Sequence, residues 1–168
     1  DRIFIAGDSA GGALATVTAM LARDRKGPQL AGQILLYPIT DCRLRTSSMT
    51  EYKDSPMLNE NMLSFYIKNY AREPKDILSP MFSPLLSPDL SRLPPALIVS
   101  AEIDPLSDDG VLYGKALNEA GTKANCQIAK GALHGFMPYR HAIGRKETEN
   151  AIKQFISGRS VESIQLYD

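Results

Sequence analysis

The pentapeptide Gly7-Asp8-Ser9-Ala10-Gly11 places a serine among small residues in the pattern G-x-S-x-G. An apolar, strand-like run at residues 2–6 precedes it, and a mostly apolar, helix-like run at residues 13–23 follows it. Strand, sharp turn and helix is the context of a nucleophile elbow, whose small residues let strand and helix approach closely. Ser9 is therefore a candidate nucleophile. A phosphate-binding loop, or a plain turn with a capping serine, would show the same five letters.

A nucleophilic serine needs a base, and the base needs an orienting group. The chain has two histidines. His134 follows a strand-like run at residues 125–129, and the carboxyl ends of parallel strands are where sites assemble. His141 lies beside Arg140, which is typical of a solvated surface histidine. We therefore expect His134 to serve Ser9.

The orienting carboxylate should end an earlier strand, and Asp104 follows the apolar run at residues 96–101. Pro105 holds Asp104 out of helical geometry. Glu102 is a rival that lies one strand step from the end, where successive side chains alternate between the two faces of the sheet. Asp108 and Asp109 are further rivals, but the first turn of a helix beginning at Ser107-Asp108-Asp109 explains both.

Three blocks together resemble the hormone-sensitive-lipase-like carboxylesterases, a family that includes bacterial acetyl esterases. They are GDSAGG at residues 7–12, DPLSDDG at residues 104–110 and HGF at residues 134–136. The resemblance runs from the first residue to about residue 155, and it implies an α/β-hydrolase fold. It also implies that Ser9 is the nucleophile, His134 the general base and acid, and Asp104 its orienting carboxylate. The polar stretch after Tyr37 and a helix at residues 59–70 would wall the substrate pocket.

The sequence departs from the family in the oxyanion hole. The family carries a His-Gly-Gly-Gly segment upstream of the elbow, and this sequence has none. The backbone amide of Ala10 is then the oxyanion donor expected within the chain. Because an elbow strand is normally central in its sheet, we expect residues 1–168 to form the C-terminal part of a single catalytic domain. Alone, that part is expected to fold poorly or to be inactive.

The apolar runs alternate between strand-like and helix-like segments, with an insert in the middle. This order predicts a mostly parallel sheet covered by helices on both sides, the three-layer α/β class. The first three strands read as buried on both faces, and the last as a short edge strand. The expected strands are 3–6, 33–38, 96–101 and 125–129, and the expected helices are 10–23, 59–70, 107–120 and 145–156.

Composition excludes several classes of function. Lys plus Arg and Asp plus Glu are both 19, and no basic block suggests nucleic acid. No apolar run is long enough to span a membrane. Two cysteines, Cys42 and Cys126, set no disulfide framework, and neither has the spacing of a metal ligand. We therefore expect no metal or organic cofactor. The same cysteine usage favours a reducing, cytoplasmic location.

The sequence thus predicts a serine carboxylesterase that hydrolyses short- to medium-chain esters through an acyl-enzyme. A serine peptidase or amidase, or a non-catalytic ligand-binding relative, stays open as an alternative. Residues 125–130 are expected to form an edge that could pair two copies into a homodimer, since Asn125, Gln127 and Lys130 give it alternating polarity. Five side chains could line the pocket: Met62, Phe65, Tyr66, Phe136 and Met137.

Overall fold

Residues 2–159 are described by the computed structural model. Within them, four parallel strands form one sheet in the order β1-β2-β3-β4. The strands are β1 (Ile3–Asp8), β2 (Leu30–Leu36), β3 (Ala96–Ile103) and β4 (Ala124–Leu133). The helices are α1 (Ala10–Asp24), α2 (Ser47–Glu51), α3 (Glu60–Tyr70), α4 (Ser107–Glu119) and α5 (Arg145–Ser157). Two short 3₁₀ helices, Pro74–Leu78 and Pro84–Leu86, lie in the proline-rich stretch.

The two faces of the sheet carry separate cores, because successive strand residues point to opposite sides. On one face, Leu35 and Ile98 pack with residues of α1 and α4. On the other face, Ile34, Leu97 and Val99 pack with residues that include Ala151 of α5. This arrangement confirms the predicted three-layer α/β class and the parallel sheet.

The outer strands differ from their sequence-based expectations. In the described residues β1 lies at one edge of the sheet and Ile3 is 53% exposed, so this strand is not buried on both faces within that part of the chain. Helix α1 is mostly apolar along its length, yet it leaves Leu14 exposed. Strand β4 is the predicted edge, but it has ten residues rather than five, and Gln127 is buried within it.

The insert is more ordered than its composition indicated. The stretch expected to be irregular contains the short helix α2, which Thr46 caps by accepting from the amide of Met49. Asn59 caps α3 in the same way, so that helix begins at Glu60 as its periodicity predicted. At α4 the capping residue is Leu106 rather than Ser107, because the turn closed by Asp104 runs directly into the helix.

Candidate active site

The three predicted site residues each come directly after a strand. Ser9 follows β1, Asp104 follows β3 and His134 follows β4. Because the strands are parallel, these positions share the carboxyl edge of the sheet. A hydrogen bond of 2.9 Å joins Ser9 Oγ and His134 Nε2, and one of 2.7 Å joins His134 Nδ1 and Asp104 Oδ2. The structure thus brings all three side chains together in one chain of hydrogen bonds.

Ser9 sits in strained backbone. Its φ of 54° and ψ of −121° are values that a non-glycine residue adopts only at a cost of about 1–3 kcal/mol. The strained turn is held by the Ser9 amide, which donates to Leu36 O at 2.8 Å. Ser9 precedes α1 but makes no side-chain capping bond there, and its hydroxyl is turned to His134 instead. The geometry therefore contradicts the capping-serine alternative.

The glycines around Ser9 are not equivalent. A Cβ on Gly7 would lie 2.0 Å from the carbonyl oxygen of Gly11, and a Cβ on Gly12 would lie 2.7 Å from Cβ of Pro38. A Cβ on Gly11 would meet the carboxylate of Asp8 at 3.7 Å, an ordinary contact. The expectation that Gly11 is needed for close approach is therefore wrong, and Gly12 has that role, because it faces the turn after β2.

Asp104 is fully buried, and both of its oxygens are used. Oδ2 contacts His134, and Oδ1 accepts from the amide of Leu106 at 2.9 Å. The imidazole tautomer that donates Nδ1–H to this carboxylate leaves Nε2 free to accept the hydroxyl proton of Ser9. Asp104 therefore has the geometry of an orienting carboxylate.

The rival carboxylates point elsewhere. Glu102 Oε2 accepts from the amide of Gly131 at 2.7 Å, while Oε1 lies 3.0 Å from Lys130 Nζ. Asp108 accepts from the amide of Ser48 at 2.9 Å. Asp109 accepts from the backbone amides of Thr40 and Asp41, in the turn after β2. Each rival thus has a partner other than the imidazole.

His134 must cross the sheet to reach Ser9, because β4 and β1 lie three strand spacings apart, roughly 14 Å. Two features of the structure shape its path. A register shift between Ala101 and Ile103 bends the end of the β3–β4 pair. The ring of Tyr37, at the end of β2, then lies edge-on to the imidazole with the centroids 5.0 Å apart. His141 is exposed, as its sequence context predicted.

The backbone amide of Ala10 comes directly after Ser9 in the chain. Ala10 is the first residue of α1, so its N–H belongs to the first turn, where amides have no acceptor within the helix. The N-terminal end of the helix also carries partial positive charge. An oxyanion formed next to Ser9 would meet a donor and a favourable dipole there.

A cavity of about 200 Å³ opens on Ser9, and its lining is almost wholly apolar. Of the five side chains predicted to line it, Tyr66 does so, whereas Phe136 and Met137 pack on the α5 face of the sheet. Phe65 is exposed and Met62 lies among the residues packed behind the wall, so neither lines the cavity. The insert supplies most of the wall, as the resemblance implied: Ile39, Cys42, Leu58, Leu63, Tyr66, Ile67, Tyr70, Met81 and Phe82.

Two buried polar residues next to the site, Asp109 and Tyr37, were not predicted from the sequence to contribute to it. Asp109 is buried, and the loss of water raises its pKa to about 7, although the amides of Thr40 and Asp41 partly oppose that rise. Burial, and then the charge of Asp8, raises the pKa of Tyr37 to about 12. The signal for Tyr37 was present in the sequence, since it directly follows the run that forms β2. For Asp109 no sequence signal distinguished it from an ordinary first-turn acid.

Two features are absent from residues 2–159. No cluster of three or more His, Cys, Asp or Glu side chains there could hold a metal ion. No helix in that range is long and apolar enough to cross a membrane. Cys42 and Cys126 are both free.

Similarity to known proteins agrees with this geometry. Residues 1–138 match a family model described as alpha/beta hydrolase fold. An ethyl acetate hydrolase from Pseudomonas putida is 40% identical over 139 residues, which cover 81% of this chain and 43% of that protein. An arylesterase from Saccharolobus solfataricus is 39% identical over 138 residues, covering 82% of this chain and 45% of that protein. The chain thus spans less than half the length of these two curated relatives.

Among solved structures, an esterase from Pyrobaculum calidifontis superposes with a TM-score of 0.87 at 38% identity. The match covers 94% of this chain and 52% of that one. Carboxyl esterase 2 from Tuber melanosporum superposes with a TM-score of 0.88 at 30% identity, covering 95% of this chain and 55% of that one. The family model matches most of the chain and the strand-end geometry agrees with it, so this protein belongs to the α/β-hydrolase fold family.

Proposed function

We propose that the protein containing this chain is a serine carboxylesterase that hydrolyses short- to medium-chain esters. One observation carries the proposal: the hydrogen-bonded series Ser9, His134, Asp104 opens on an apolar cavity at the hydroxyl end. The names of the relatives, which include an ethyl acetate hydrolase and several esterases, support the same reaction class.

The proposed mechanism has two half-reactions. His134 Nε2 takes the proton of Ser9 as the hydroxyl oxygen attacks the ester carbonyl carbon. The amide of Ala10 donates to the oxyanion, and the imidazolium then gives its proton to the departing alcohol. Water activated by the same imidazole cleaves the acyl-serine and restores the hydroxyl. Asp104 stabilises the imidazolium and keeps its orientation in both halves.

Two other functions use the same fold. A serine peptidase or amidase would need the same three residues, but the cavity wall offers few polar groups to a peptide backbone. A non-catalytic ligand receptor would not require a hydroxyl, an imidazole and a carboxylate in hydrogen-bonding series. Both observations favour ester hydrolysis.

A chain-length series of nitrophenyl esters tests the proposal on the full-length protein. We expect hydrolysis with a maximum at short to medium acyl chains, and labelling of Ser9 by a fluorophosphonate probe. Cleavage of amide substrates alone would favour the peptidase alternative. Tight ester binding with neither turnover nor labelling would favour the receptor.

We also propose that residues 1–168 form the C-terminal part of one catalytic domain. The lengths of the relatives support this, since the chain covers 43% of the ethyl acetate hydrolase and 45% of the arylesterase. Further oxyanion donors would come from upstream residues. A reducing, cytoplasmic location, expected from the cysteine usage, stays a prediction.

A homodimer through β4 is proposed for the full-length protein. Its support is the position of β4 at one edge of the described sheet, where two copies could continue the ladder across a two-fold axis. Lys130 opposes such pairing, although Glu102 partly neutralises its charge. Light scattering of Ile128→Pro against the unaltered protein tests this, because proline removes a ladder donor. A dimer that shifts to monomer supports the proposal, and an unchanged mass contradicts it.

A further inference from the structure

The turn that follows β2 touches two of the three strand ends that carry the site, although β2 itself carries none of its residues. We define this turn as the β2 loop, residues 37–41, all of which are buried. The amide of Ile39 donates to Ser9 O at 3.3 Å. The ring of Tyr37 lies 5.0 Å from the imidazole of His134. Because β2 lies between β1 and β3, its loop occupies the space that the imidazole crosses to reach Ser9.

Asp109 joins the β2 loop to the helix that follows the third strand end. Asp109 Oδ2 accepts from the amide of Thr40 at 2.6 Å and from the amide of Asp41 at 2.8 Å. The hydroxyl of Thr40 returns a bond of 2.9 Å to Asp109 O. Asp109 is 1% exposed and lies in the first turn of α4, five residues after Asp104. Without this carboxylate, the two loop amides would be buried without an acceptor.

The loop also forms part of the wall of the substrate cavity. Ile39 lines the cavity directly, and Cys42 lines it just beyond the loop. The loop therefore has one side against the reacting residues and another against the space for substrate. A shift of the loop would move both the support of the imidazole and the wall, and misplacement by about 1 Å is enough to lower turnover about 100-fold.

We propose that Asp109 is a positioning residue for ester hydrolysis, acting through the β2 loop to hold the Tyr37 ring against His134. This inference rests on the proposed function. Asp109 does not touch substrate or the reacting atoms. Its role is to fix, by two amide hydrogen bonds, the distance between the helix after Asp104 and the turn that supports the imidazole.

The test compares Asp109→Asn with Asp109→Leu in the full-length protein. Asn keeps an acceptor oxygen for the two amides, whereas Leu has a similar branched shape and no acceptor. We expect Asp109→Leu to lower kcat about 10- to 100-fold, with a smaller change in KM as the wall shifts with the loop, and Asp109→Asn to restore most of the turnover. Asp108→Ala is the matched control, because Asp108 lies on the same helical turn but binds the amide of Ser48 instead.

A second pair keeps the test decisive if Asp109→Leu does not fold. Tyr37→Phe keeps the ring against His134, and Tyr37→Leu removes it. We expect the kcat of Tyr37→Leu to be about tenfold or more below that of Tyr37→Phe.

Three results would overturn the proposal. They are equal kcat in Asp109→Leu and the unaltered protein, an equal loss in Asp108→Ala, and equal kcat in both Tyr37 variants. If the unaltered protein hydrolyses no ester, the proposed function itself fails, which is a different outcome from an active protein insensitive to these changes.

Discussion

The strand ends and the cavity wall meet at Ser9, but they are built in different ways. The strand ends place Ser9, Asp104 and His134 one residue beyond β1, β3 and β4, where backbone ladders fix their positions. The wall comes mostly from the insert between β2 and β3, whose side chains pack without a ladder. The strand ends should therefore tolerate almost no change, whereas the wall should alter preference among esters without abolishing the reaction.

The largest effect expected at the strand ends comes from removing the hydroxyl. Ser9→Ala should lower kcat by about 10⁴- to 10⁶-fold, because the nucleophile of a triad is lost. Fluorophosphonate labelling should disappear with it. Ser64→Ala, on the exposed side of α3, is the control and should keep full activity. Substantial turnover by Ser9→Ala would mean that another group attacks the ester.

The two glycines of the G-x-S-x-G pattern, Gly7 and Gly11, sharpen the comparison, because only one of them lacks room for a Cβ. Gly7→Ala should reduce the free energy of unfolding by about 3 kcal/mol or more, because its Cβ would collide with the backbone of Gly11. Gly11→Ala should instead raise it by about 0.5–1 kcal/mol, since alanine favours the helix and the space is open. Denaturant titration of both variants measures the difference, and equal destabilisation would contradict the steric argument.

The wall should respond in KM rather than in kcat. Tyr66 lines the cavity and is 53% exposed, so its loss should leave the fold intact. Tyr66→Ala should raise KM about tenfold for the longer esters, through lost apolar contact, and should leave the shortest ester almost unchanged. Phe65→Ala is the matched control, because Phe65 is a neighbouring exposed aromatic that lies outside the cavity. A kcat loss common to all esters would show that the wall also serves the chemistry.

The smallest expected effect is the pH dependence of stability that comes from Asp109, which lies between the strand ends and the cavity wall. The pKa of Asp109 is about 7 in the folded protein, against 3.8 for the unperturbed group, so the folded state binds its proton more tightly. Stability from this group is then complete below about pH 4 and is lost as the pH rises towards 7. The melting temperature should fall between about pH 4 and about pH 7, and Asp109→Asn should reduce that fall. A fall of equal size in the variant would remove Asp109 as its cause.

Sequence by itself determined the candidate site residues and the class of fold. Ser9, Asp104 and His134 each come within a few residues after an apolar run, and a parallel sheet must bring the carboxyl ends of such runs to one edge. The order of runs predicted the sheet and its helical layers. These inferences depend on local hydrophobic pattern and on the order of segments along the chain. Both can be obtained from the sequence without knowing which distant residues are in contact.

Tertiary structure alone decided which polar residues are buried and which aromatic residues line the cavity at Ser9. Residues 39–58 look irregular in sequence, yet Thr40 and Asp41 are buried. Asp109, which lies 69 residues from Thr40 and 68 from Asp41, accepts from both of their amides. Phe65 and Tyr66 are adjacent on one helix, and the direction of the helix assigns one to solvent and the other to the cavity. Both outcomes depend on contacts between residues that are far apart in the chain. A local sequence pattern does not show which distant residues come into contact.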